Sequence, residues 1–170
     1  MEFLEKQLDT SGVSVLLLQR KLERFSTERL QRAMELGWRR EHNAQTFFAK
    51  NLSDEGAVIK LGQMFITMLY CDRRLGSKEL GDTELPTWAY HTAHSSLEYK
   101  CPGGIPEGEL RDQFHGFLGL LVAELLDENV TSLFFVEECV LVPNCVELVQ
   151  ELRSGESQNP VSLAKKLGLS

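Results

Sequence analysis

Apolar side chains recur along most of this chain at steps of three and four residues, the spacing that gathers them on one face of a helix. Between Ser11 and Phe25 the positions Val15, Leu18, Leu22 and Phe25 follow it, predicting a first helix. Ser26 is placed to cap a second, in which Leu30, Ala33, Met34 and Gly37 form the inner stripe and Arg29, Arg32 and Glu35 face water. A third, around Glu41 to Asn51, would bury Ala44, Phe47 and Phe48. Ser53 to Asp72 carries the fullest pattern: Ser-Asp-Glu suits a helix start, and Val58, Leu61, Met64, Phe65, Met68 and Leu69 make a wide apolar face. Its methionines read as core filler.

Residues 73–85 are polar and uneven in pattern, and are expected to form a loop between two helical halves. Pro86 suits the first turn of a helix through Trp88, Ala89, Ala93 and Leu97 to Tyr99, which CPGGIPEG breaks. Pro106 opens a long helix to Asp127, apolar nearly all round. The run Val130 to Val142 fits strand or helix, and is read as helix because of its length and the Glu137-Glu138 pair. Another helix follows with Val146, Leu148, Val149 and Leu152, and a last one runs from Asn159-Pro160 to Leu167, closed by Gly168. The expectation is therefore an all-α fold over 1–170: one compact multi-helix domain of about seven to nine helices, a bundle or a short irregular HEAT-like stack. No fixed-period repeat is visible in the sequence.

The composition, 42% hydrophobic and 25% charged, is that of an ordinary globular protein. The richest apolar segment, Phe114 to Leu126, is interrupted by Gly116, Gly119 and Glu124, so no membrane helix is expected. MEFLEKQLDTSG carries acids where a secretory leader needs positive charge, which points to an intracellular setting, cytoplasmic or nuclear. In that setting Cys71, Cys101, Cys139 and Cys145 read as free thiols. The sequons at Asn51 and Asn129 would matter only in a secreted protein. The net charge of −7 is uneven: residues 1–50 hold nine basic and seven acidic side chains, residues 101–170 four and eleven. Overall acidity disfavours non-specific binding to nucleic acid or anionic membranes.

Chemistry is sparsely signalled. There is no phosphate-binding loop, HExxH pair, nucleophile elbow or paired CxxC in the sequence. Cys71, His91, His94 and Cys101 are the densest set of metal-ligand types; on a helix His91 and His94 would lie one turn apart. The long gap from Cys71 leaves them weak candidates, and no cofactor is expected. Arg20 to Arg40 forms a basic cluster in which Arg29, Arg32, Trp38, Arg39 and Arg40 could grip phosphate, stack on a base or meet an acidic protein. The interleaved acids favour a solvated face. Glu137 and Glu138 could receive a basic segment. The leading expectation is a non-enzymatic interaction module, an adaptor or regulatory subunit, that takes an amphipathic helix or basic segment of another protein or self-associates. The alternatives are RNA or single-stranded nucleic-acid binding through residues 20–40, and a metal-dependent hydrolase or structural zinc protein using His91 and His94.

Overall fold

A computed structural model describes residues 14–38, 47–53, 56–61, 64–81, 84–100, 119–154 and 160–169. Strands dominate it. They are β1 (Ser14–Gln19), β2 (Phe47–Ser53), β3 (Gly56–Leu61), β4 (Met64–Cys71), β5 (Ala93–Lys100), β6 (Val130–Phe135) and β7 (Val140–Pro143). All pairings are antiparallel, in the order β2-β3-β4-β5-β1-β6-β7. Helix α1 (Thr27–Trp38), helical residues 119–125 (α2), α3 (Val146–Arg153) and α4 (Pro160–Lys166) accompany the sheet.

The two faces of the sheet are closed differently. On one, Val15, Leu17, Ile66, Met68, Leu97 and Leu133 share a core with Leu30 and Ala33 of α1, Leu121 and Leu125 of α2, Leu148 of α3 and Leu163 of α4. On the other, Leu18 and Phe134 pack with Leu75 and Leu80 from the connection between β4 and β5, joined by half-buried Leu16, Leu85 and Leu141. Successive strand side chains point to opposite faces, so a strand covered on both sides has no polar face to show. In β1 that makes a continuous apolar run, and in β6 all six residues are buried.

This overturns the all-α expectation, whether bundle or helical stack. The positions read as a first helix hold β1, which turns away before Phe25. The fullest helical pattern, Ser53 to Asp72, is instead the hairpin of β3 and β4, in register from Gly56↔Leu69 to Leu61↔Met64. Phe47 to Asn51 belong to β2 rather than a helix. The stretch after Pro86 divides into a 3-10 turn, Thr87–Ala89, and β5. Val130 to Val142 is the hairpin of β6 and β7, where the β-branched and aromatic content outweighs length. For β1 and β6 the physical cause is burial on both faces, which removes period two and lets a three-to-four spacing be picked from a nearly unbroken apolar run; in β4 the apolar Leu69, 48% exposed on the open face, blurs the alternation in the same way.

Helices do form where the sequence marks a helix end, and α3 occupies the amphipathic stretch expected around Val146, Leu148, Val149 and Leu152. Ser26 Oγ accepts the Arg29 N–H at 3.1 Å and starts α1. Gly168 follows α4 with φ of 76°, the left-handed conformation that closes a helix. Helix 119–125 lies within the expected long helix, whose earlier part falls outside the described residues.

Candidate functional site

One end of the sheet collects the polar chemistry. Gln19 at the end of β1 pairs with Ala93 and Val130, the first residues of β5 and β6, while Cys71 at the end of β4 faces His94. The connections 20–26, 72–92 and 126–129 therefore emerge side by side. A β-bulge at Thr131 breaks the β1–β6 register there, and the Thr131 hydroxyl donates to Leu18 O at 3.3 Å. Gln19 is fully buried; its side-chain oxygen accepts from Ser95 Oγ at 3.1 Å, and its backbone carbonyl accepts from Thr92 N–H at 2.9 Å.

Two carboxylates share one guanidinium across two of these connections. Arg29 Nη1 donates to Glu23 Oε1 at 2.9 Å, and Nη2 to Asp127 Oδ2 at 3.1 Å and Leu125 O at 3.2 Å. The guanidinium also lies 4.8 Å from the centre of the Phe25 ring. Asn129 closes the set: its amide donates to Lys21 O at 2.8 Å and Glu23 Oε2 at 3.3 Å, and its N–H to Asp127 Oδ1 at 2.9 Å. Burial lifts the Glu23 carboxyl above its ordinary value, the adjacent Asp127 lifts it further, and Arg29 and Asn129 oppose both. All four carboxylate oxygens are satisfied, so the cluster is a clasp holding the start of α1 to the end of α2. It also occupies the Asn129 amide, with the Thr131 hydroxyl buried behind it, which leaves that sequon poorly presented for modification.

The connection after β4 is fastened by two buried histidines. His91, fully buried, accepts the Leu75 N–H at Nε2, 3.0 Å away, and its Nδ1 lies 2.8 Å from Ala89 O. A carbonyl can only accept and an amide only donate, so this ring is the neutral Nδ1–H tautomer. Burial holds its pKa below the ordinary histidine value; the bond to Ala89 opposes that shift, and the charges of Arg74 and His94 add to it. His94 Nδ1 lies 2.9 Å from Arg73 O. Outside the histidines, Glu79 accepts the Gly76 N–H at 2.8 Å and pairs with Arg73 at 2.8 Å, and those two bonds, the first foremost, pull its pKa down.

The same connection exposes two large aromatics. The 3-10 turn is closed by Ala89 N–H to Pro86 O at 3.0 Å and Tyr90 N–H to Thr87 O at 3.3 Å. Ala89 is buried, whereas Trp88 is 37% and Tyr90 55% exposed. The same connection also forms an open depression of about 620 Å³, lined by Arg74, Leu75, Gly76, Ser77, Glu84 and Leu85.

The residues singled out in the sequence are dispersed. Arg29 is committed to the clasp, and Arg32 lies exposed on α1. Trp38 ends α1, while Arg39, Arg40 and Cys101 lie outside the described residues. Glu137 and Glu138 occupy the β6–β7 turn, at the opposite end of the sheet from Arg29. Cys71 and His94 do face one another across β4 and β5, but both nitrogens of His91 are taken by backbone, and among the described residues no three His, Cys, Asp or Glu side chains gather as a metal site. The helical reading of Pro86 to Tyr99 hides Trp88 and Tyr90 by running a helix through them; Pro-Thr-Trp-Ala-Tyr is better read as a turn displaying its aromatics. No family model, curated protein or solved structure matches this chain.

Proposed function

We propose that the chain is a protein–protein interaction module whose partner docks on the loop-bearing end of the sheet, over Trp88, Tyr90 and the depression that the same connection forms. The observation that supports this is the exposure of Trp88 and Tyr90 on a short turn whose middle residue, Ala89, is buried and whose next residue, His91, is hydrogen-bonded at both ring nitrogens. Tryptophan and tyrosine give large contact area with few rotatable bonds, and a fixed turn reduces the ordering cost of binding. The depression is lined by the apolar Leu75 and Leu85 together with opposite charges, Arg74 and Glu84. An amphipathic partner helix with one apolar anchor flanked by both signs of charge suits it.

The nucleic-acid alternative draws less support, because Arg29 spends its donors on Glu23, Asp127 and Leu125. The experiment is quantitative affinity capture with the full chain and a Trp88→Ala/Tyr90→Ala variant, followed by direct titration of each specific protein ligand. The variant is expected to bind at least tenfold more weakly with unchanged circular dichroism, in keeping with the cost of truncating interface aromatics. Equal affinity of both chains for every ligand would refute the docking surface.

A further inference from the structure

We propose that His91 is the latch of a pH-responsive flap: on acidification residues 72–81 lift from the sheet face that they cover. The flap meets the sheet and the histidines at defined points. Leu75 N–H reaches the His91 ring, Arg73 O meets His94, and Leu75 and Leu80 cover Leu18 and Phe134. Within the flap, the Glu79 and Leu80 amides donate to Gly76 and Ser77 carbonyls and Gly76 N–H to the Glu79 carboxylate.

Protonation strikes the latch directly. In the closed flap the Nε2 lone pair receives the Leu75 amide proton, while Nδ1–H is already given to Ala89 O. A second ring proton can only go to Nε2, where it meets another N–H, and the resulting cation is fully buried. The groups around the ring offer little relief. Arg74 from the flap and His94 from β5 both act against a further positive charge. Arg73 and Glu79 are paired with each other, and Glu84 lines the depression with Arg74. Cys71 ends β4 opposite His94, and the sheet side chains beneath the flap, Leu18 and Phe134, do not titrate. The low pKa of the buried ring fits this geometry.

Linkage fixes the sign. His91 binds its proton more weakly in the closed flap than in the open one, where the ordinary value of about 6.5 applies. Below that pH the opening constant rises up to about tenfold for each unit of acidification until the closed-state value is passed. What opening uncovers is apolar: Leu18 and Phe134, with Leu16 and Leu141 beside them. None of this depends on what docks at Trp88.

The test is hydrogen exchange read by mass spectrometry on the full chain between pH 7.5 and 5, corrected for intrinsic exchange, following peptides across 72–81 against those of β1 and β6. In the wild type the flap peptides should lose protection by up to about tenfold per pH unit below 6.5 while β1 and β6 keep theirs. His91→Gln, whose amide oxygen can still accept from Leu75, should abolish that slope. His94→Gln, which leaves the latch intact, should retain it. A flat wild-type profile, parallel loss in flap and core strands, or an unchanged slope in His91→Gln would each overturn the proposal. The first two are read on the natural protein and need no variant to fold.

Discussion

Glu23 and Asp127 set two carboxylates on either side of the Arg29 guanidinium, and the three side chains are each about one-third exposed, at 35%, 32% and 31%. Such a cluster is worth less than its bond lengths suggest, because solvent screens it and the two acids repel. Removing each member should therefore have unequal effects. Arg29→Ala leaves both acids facing each other and Leu125 O without its donor, and is expected to cost about 1–2 kcal/mol in chemical denaturation. Glu23→Gln keeps an acceptor for Arg29, removes the repulsion, and is expected within about 0.5 kcal/mol of wild type at neutral pH. The pH profile carries a sign. The folded Glu23 pKa is raised above its ordinary 4.5, so its contribution is full below that value and is lost as pH rises through the folded pKa. Glu23→Gln should thus gain on the wild type as pH rises above 4.5, and a variant that loses ground instead would show the clasp acting as a net attractive pair. Neither Glu23 nor Asp127 could have been matched from the sequence, since the clasp joins residues on connections about a hundred positions apart.

Among the elements, β3 shows how closely two strands can meet. Gly56 pairs with Leu69, and a Cβ there would lie 2.7 Å from Met68 O and 3.1 Å from a Leu69 methyl. The first neighbour is backbone and cannot rotate aside. Gly56→Ala is therefore expected to cost about 1–3 kcal/mol, measured as a lower denaturant midpoint with an unchanged slope, and an unaffected midpoint would contradict this strand geometry. The wider lesson concerns which elements a sequence declares. α1 and α4 carry local chemistry at their ends, Ser26 and Gly168, that works whatever the surrounding fold, and both were legible. The strands were not. Leu16, Leu17 and Leu18 serve two different packing layers, and only knowledge of what covers each layer separates that run from a helix. The candidate site suffers in the same way: reading Pro86 as a helix start runs Trp88 into a helix and loses the turn that displays it.

Across the molecule's described residues, both signs of charge surround the exposed aromatics. The described residues of the connections at the site end mix both signs, with Arg20, Lys21, Arg24, Arg73, Arg74 and Lys78 against Glu23, Asp72, Glu79, Glu84, Asp127 and Glu128, whereas the chain carries −7 in all. The excess acidity must therefore lie elsewhere, and Glu137 and Glu138 put part of it at the far end of the sheet. A partner at the site end need not be strongly basic, and its affinity should depend weakly on salt. Strand order carries a consequence of another kind. β2, β3 and β4 join by short hairpins, but Val15 in β1 finds its partners at Leu97 and Phe135. Closing such distant pairings is slow. In pulse-labelled refolding the β3–β4 amides are expected to gain protection before those of β1, and simultaneous protection would speak against this order. On the ribosome the same arrangement leaves Leu16, Leu17 and Leu18 without a strand neighbour until most of the chain has been made, so that nascent segment is a natural client for a chaperone and the point at which a stalled or truncated product would begin to aggregate.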